Sequence, residues 1–143
     1  MKLIISILFS VLSMVSFSQT DQDFENKLNE IYAPGRVERI LNNEQLNAHY
    51  KNVVYRSYKL EKVDAKKLKS NSFPVLAKIE KRNPADHSMI QVSTEEMVQE
   101  IEDGSFNILL LNVQRDVNNS ITYRLENSNY LFTLYSHKAI AKK

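Results

Sequence analysis

The feature that most constrains this chain is a change of hydrophobic period along its length. In the front third, apolar side chains recur every three or four residues; in the last third they fall at alternate positions. A period near 3.6 collects apolar groups on one helix face, and a period of two collects them on one face of a strand. Helices first and hairpin strands last predict an α+β domain. In it, N-terminal helices pack on one face of a small antiparallel sheet that ends in a three-stranded C-terminal meander.

Phe24, Leu28, Ile31 and Tyr32, spaced i, i+4, i+7 and i+8, predict an amphipathic helix over 20–32 that Ala33-Pro34-Gly35 stops. Val37, Ile40 and Leu41 predict a second helix from Arg36 to Leu41. Leu46, His49 and Tyr50 predict a third, short one capped by Asn43, unless the two are a single kinked helix. Later, Ser93-Thr94-Glu95-Glu96 has the spacing of a capping box, in which the Ser93 hydroxyl and the Glu96 carboxylate each accept an otherwise orphaned amide. Met97, Val98 and Ile101 give that helix its apolar face. Gly104 ends it, because glycine adopts the left-handed cap without penalty.

From Val53 to Leu60 the alternation and the β-branched and aromatic content predict a strand. Residues 64–72 are lysine-rich and read as a loop. Phe73 to Ile79 reads as an edge or irregular strand, since Pro74 lacks an amide proton. Asn83-Pro84-Ala85-Asp86 reads as a turn. The apolar run Phe106 to Gln114 predicts a strand covered on both faces; Asp116–Asn119 and Asn127–Asn129 predict turns around the two strands that complete the meander. A two-residue Ser128-Asn129 loop is the preferred register, with Leu125 opposite Phe132 and Tyr123 opposite Leu134. A three-residue loop would set Arg124 against Phe132. The last strand runs from Tyr130 to Ser136, and the tail from Lys138 to Lys143 is expected to fray.

Residues 1–18 read as a removable signal peptide. Lys2 supplies the positive start, Leu3–Val15 an apolar stretch interrupted by serines, and Ser16-Phe17-Ser18 small residues at the cleavage boundary. A membrane span needs about 20 apolar residues, more than this run provides. The expectation is an exported protein, periplasmic or secreted, with no membrane anchor after cleavage and a single domain over 19–143. No cysteine is present. Disulfides, thiolate chemistry and the lipid-modified cysteine of a bacterial lipoprotein are thereby excluded.

Nineteen lysines and arginines stand against 17 acidic residues. That balance argues against a nucleic-acid partner, which calls for a clustered basic face. The lysines at 59, 62, 66, 67 and 69 alternate with Glu61 and Asp64 and read as a solvated loop. His49, His87 and His137 have no partner at metal-ligand spacing, so no metal site is expected. Two glycines cannot build a phosphate cradle, and no serine lies in a nucleophile motif. No cofactor is expected. The acid run Glu95, Glu96, Glu100, Glu102 and Asp103 reads as a wet helix face.

The most informative surface is aromatic and basic. Tyr55, Tyr58, Tyr123, Tyr130 and Tyr135 lie in or beside expected strands, with Arg56, Arg115 and Arg124 among them. Both types are enriched at recognition surfaces. In the preferred register Thr122, Arg124, Thr133, Tyr135 and His137 share the sheet face away from Tyr123, Leu125 and Phe132, and these five are the candidate binding residues. The expected function is that of a small, soluble, non-enzymatic binding protein of the cell envelope, with an envelope protein or glycan as partner. The alternative is a periplasmic hydrolase or metal-dependent enzyme built from dispersed groups such as His49, His137 and Asp116.

Overall fold

The computed structural model describes residues 20–70 and 72–142; the expected signal peptide lies outside the described residues. The elements in chain order are α1 (20–29), α2 (Pro34–Asn42), α3 (Glu44–Arg56), β1 (Tyr58–Lys62), α4 (Ala65–Ser70), β2 (Val75–Leu76), β3 (Ile79–Arg82) and β4 (Met89–Val92). They continue with α5 (Thr94–Asp103), a 3-10 turn (Ile108–Leu110), β5 (Ile121–Leu125), β6 (Tyr130–Leu134) and α6 (His137–Ala141). The class is α+β, with a four-stranded sheet in the order β1-β6-β5-β2 and a separate two-stranded sheet of β3 and β4.

Local signals explain most helix ends. Pro34 starts α2, where its missing amide proton costs nothing. Asn43 is extended and its side chain accepts from the Leu46 amide at 2.9 Å, so α2 and α3 are separate helices. The Ser93–Glu96 capping box forms in full, and Gly104 closes α5 with φ 82°.

The strand expected over Val53–Leu60 begins only at Tyr58. Helix α3 continues through Arg56 because Leu46, Tyr50 and Val54 extend one helical stripe, and Val54 is 1 % exposed in a cluster with Phe24, Leu28, Val37 and Ile40. Burial of that stripe outweighs the β preference of Val53 and Val54. Residues 65–70 are helix α4 rather than loop, started by Asp64, whose carboxylate accepts from the Lys67 amide at 2.8 Å. The edge assignment around Pro74 holds: β2 lies at the sheet margin, parallel to β5, so the sheet is mixed rather than wholly antiparallel.

The run Phe106–Gln114 is largely buried as far as Leu111, as its composition requires, with Asn112 and Gln114 exposed, but it is not a strand. Phe106, Ile108, Leu110 and Leu111 are all buried around the 3-10 turn, and only Leu111 bridges to Lys81 of β3. The Asn107 side chain bends the chain by accepting from the Leu109 amide at 3.1 Å, while its amide donates to the Lys27 carbonyl at 2.8 Å. The three antiparallel strands are therefore β1, β6 and β5, and the C-terminal part of the sheet is a hairpin.

Neither the expected register nor the three-residue alternative to it is observed. Tyr123 pairs with Phe132 and Thr122 with Thr133, which leaves a four-residue turn over 126–129. Asn127 takes a left-handed conformation there (φ 54°), and the Ser128 hydroxyl donates to the Leu125 carbonyl and accepts from the Tyr130 amide. The observed register differs from the preferred one by two residues, so every side chain keeps its expected face. Strand β6 ends at Leu134. Ser136 caps α6 by accepting from the Ala139 amide, and Ile140 is 3 % exposed, so the tail docks instead of fraying.

The main core lies on one face of the sheet. Leu125, Phe132 and Leu134 pack with Met97 of α5 and with Phe106, Ile108 and Leu111, and Tyr58, Leu60 and Val53 adjoin them. The N-terminal helices bury their stripes in the second cluster around Phe24 and Leu28, which Leu109 adjoins.

Candidate functional site

The opposite sheet face carries the alternate residues of the same strands. Cross-strand pairing sets two rows: Lys59, Thr133 and Thr122, then Glu61, Leu131, Arg124 and Val75. Tyr135 follows Thr133 by two, its amide donating to the Ser57 carbonyl at 2.9 Å. Thr122, Arg124, Thr133 and Tyr135, four of the five residues expected to share a face, do share it. His137 does not: it is the first residue of α6, because the strand stops three residues before it.

The rows differ in cover. Lys67 of α4 donates to Glu61 at 3.0 Å, and Ala65 and Leu68 of α4 line one groove with Arg124, so α4 overhangs the second row. Leu131 in that row is 4 % exposed. The first row is polar and partly open, and the two threonine hydroxyls lie 2.9 Å apart. Lys59 donates to Glu61 at 3.0 Å. That hydrogen bond, then the Glu61 charge, and more weakly the Tyr135 phenol, raise the Lys59 ammonium above its ordinary value. Hydrogen bonds from Lys59 and Lys67 hold the Glu61 carboxyl below its own. The Lys59–Glu61–Lys67 chain was missed in the sequence because Lys67 reads there as loop; Asp64 followed by Leu68 was the signal for the helix that places it.

Tyr55, Tyr58, Tyr123, Tyr130 and Arg115 do not join this face. Tyr58 stacks against Phe106 and Phe132 (centroids 4.9 and 5.9 Å), and Tyr123 adjoins the same core. Tyr130 donates to Glu102 at 2.9 Å and Tyr55 to Asp23 at 2.6 Å. Arg115 donates to the buried Ser57 hydroxyl at 3.0 Å, and burial lowers its pKa.

Of the dispersed groups of the enzymatic alternative, Asp116 and His49 make local contacts. Asp116 accepts from the amides of Asn118 and Asn119, both at 2.7 Å, and these bonds lower its pKa. His49 sits edge-on to Tyr50 (5.6 Å), and His137 meets Asp116 only through its backbone amide and the Asp116 carbonyl, at 3.2 Å. His87 occupies the β3–β4 turn with φ 58°. Among the described residues, no group of three or more histidines and carboxylates is gathered to hold a metal ion. The acid run is likewise in structural use: Glu100 pairs with Lys81, and Asp103 accepts from the Ser105 amide and hydroxyl.

Among the concavities of the described residues, three hold cationic or aromatic side chains singled out above or their neighbours. One of about 550 Å³ lies between α4 and the β5–β6 turn, with Lys62, Lys69 and Arg124 in its wall. A second, about 550 Å³, is lined by Arg36, Arg39 and Tyr50, where Arg36 donates to the Tyr50 hydroxyl at 3.2 Å. A third, about 430 Å³, includes Lys27, Tyr55 and Tyr58. The Lys27 ammonium there is buried and donates to the carbonyls of Gly104 and Phe106 at 3.0 and 3.1 Å, a tie between α1 and the end of α5. No histidine lines any of the three. Among the described residues no helix is long and apolar enough to cross a membrane. Comparison with protein-family models, with curated proteins and with solved structures returns no match to this chain.

Proposed function

We propose that this is an exported, non-catalytic protein of the cell envelope that binds an envelope protein or glycan through the polar face of its four-stranded sheet. The observation that carries the reading is the gathering of Thr122, Arg124, Thr133 and Tyr135 on the face turned away from the core, with Lys59 beside them. Arginine offers a planar fork of donors and tyrosine a broad apolar ring with a polar tip. A backbone already fixed in strands loses little freedom on binding, which favours affinity. Export follows from the composition of residues 1–18, and periplasmic or secreted residence follows from export.

Two measurements test the two halves. Protein recovered from its host is expected to begin at Gln19; a chain still starting at Met1 refutes export. Sedimentation with isolated envelopes of that host is expected to be about tenfold weaker for the double variant Arg124→Ala/Tyr135→Ala, with the thermal midpoint little changed, since partly exposed side chains contribute little to folding. Equal sedimentation of variant and wild type refutes the binding face.

A further inference from the structure

We infer that the groove between α4 and the β5–β6 turn is a subsite for the phosphoryl group of a phosphorylated polyol, such as a sugar phosphate, free or at the head of a lipid. The inference rests on the sheet-face binding reading for its setting and names the ligand class of that site, which shares Arg124 with it.

Three cations from three separate elements line it: Lys62 at the end of β1, its ammonium 5.8 Å from the centre of the Tyr130 ring, Lys69 on α4 and Arg124 on β5. No carboxylate lines the groove. Among the described residues none of the three cations is in an ion pair, and three acids nearby are occupied, while the exposed Glu126 of the turn is not among the lining residues. Glu61 bridges Lys59 and Lys67, Asp64 starts α4, and Glu102 accepts the Tyr130 hydroxyl. Like charges held together repel, and a bound anion removes that repulsion. A phosphate monoester carries close to two negative charges at neutral pH and offers three acceptor oxygens. Arg124 can engage two of them in parallel, with the lysines as point charges.

The rest of the wall suits a polyol. Asn127 and Asn129 supply amide groups, and Ala65 and Leu68 supply apolar surface for the carbon face of a ring. Both sides of the groove are tied down before any ligand arrives. The Val63 amide donates to the Asn129 carbonyl at 2.9 Å, joining the approach to α4 to the turn, and the Thr94 hydroxyl donates to the Glu126 carbonyl at 3.2 Å. The volume of about 550 Å³ falls within the range of small-molecule sites, roughly 300–1,000 Å³.

The test is a chemical-shift titration of ¹⁵N-labelled protein purified from cells expressing the full chain, with glucose 6-phosphate as probe. The amides of Lys69, Arg124 and Asn127–Asn129 are expected to shift together, with binding at least fivefold weaker in Lys62→Ala/Lys69→Ala and weakened again by salt. Inorganic phosphate is expected to move the same amides at higher concentration, and glucose to leave them unmoved. Saturation by vesicles containing phosphatidic acid, a glycerol phosphate monoester, but not by phosphatidylcholine vesicles, lost in the same variant, assigns the phosphate to a lipid head; saturation by the soluble ester alone assigns it to a free glycan. No shift at these amides with either probe, equal affinity in the variant, or tighter binding of duplex DNA than of the phosphorylated probes overturns the inference. Envelope sedimentation that survives Lys62→Ala/Lys69→Ala but not Arg124→Ala/Tyr135→Ala removes the subsite and leaves the sheet-face reading. A positive titration with no envelope binding at all does the reverse.

Discussion

The two faces of the four-stranded sheet are built from alternate residues of the same strands, yet they have opposite chemistry. One face carries Leu125, Phe132 and Leu134 under Met97 and Phe106; the other carries Thr122, Thr133, Arg124, Lys59 and Tyr135. In β6 the change takes one step, from Phe132 at 0 % exposure to the half-exposed Thr133. At the Phe132–Thr133 step stability and recognition are thus assigned to opposite faces, although Leu131, two residues before Thr133 on the polar face, is buried under α4, so substitutions at 132 and 133 should separate them.

The largest expected contrast lies at that step. Phe132→Ala empties a site wedged between Tyr58 and Phe106 and should cost about 3–5 kcal/mol. Thr133→Ala removes a half-exposed hydroxyl and should cost under about 1 kcal/mol. Urea unfolding of both variants reads the difference as a shift in midpoint. Comparable losses would mean that the polar face contributes to folding on the same scale as the core, which breaks the division of labour.

This parity was legible in the sequence because it depends only on alternation, and a register wrong by two residues leaves it intact. Capped helices were legible for a similar reason: Asn43, Ser93 and Gly104 act on amides and carbonyls a few residues away. What was not legible depended on distant partners. Val53 and Val54 favour a strand locally and become helical because Phe24, Val37 and Ile40 wait for Val54. Ile108–Leu110 reads as a strand and becomes a turn because Asn107 is anchored to the Lys27 carbonyl, far away in the chain. His137 was misplaced by the same limit: Ser136 caps a helix whose only buried anchor is Ile140. The groove at Arg124 needed α4, and α4 was hidden in a lysine-rich stretch that composition alone assigns to solvent.

A smaller effect sharpens the comparison through pH. Tyr58 lies on the covered face, and burial, followed by the charge of Asp23, raises its phenol above the ordinary value of 10.0. The folded state favours the neutral phenol. Its contribution to stability is therefore complete below pH 10 and is lost as the pH rises through the folded value. Tyr58→Phe keeps the ring and removes the ionisable group, so its urea midpoint should fall less steeply above pH 10 than that of the wild type. Lysine titration is common to both proteins and cancels in the difference. Parallel slopes would show that the Tyr58 hydroxyl is as well solvated as a tyrosine on the polar face.

The smallest effect concerns how the polar face is held in register. Thr122 and Thr133 are directly opposed, and their hydroxyls share one hydrogen bond of 2.9 Å. Cross-strand pairs of this kind contribute about 0.2–1 kcal/mol. A double-mutant cycle with Thr122→Val and Thr133→Val keeps the β-branched shape and removes the hydroxyls, so the coupling isolates the bond. A coupling in that range is expected. A two-residue loop would instead set Thr122 against Tyr135 and Arg124 against Thr133, leaving the threonines diagonal. In that arrangement the Thr122–Thr133 coupling vanishes, and a cycle between Thr122→Val and Tyr135→Phe acquires it. The cycle therefore reports on the placement of the binding residues as well as on one hydrogen bond, because the register that opposes the two threonines is the one that sets Arg124 opposite Leu131.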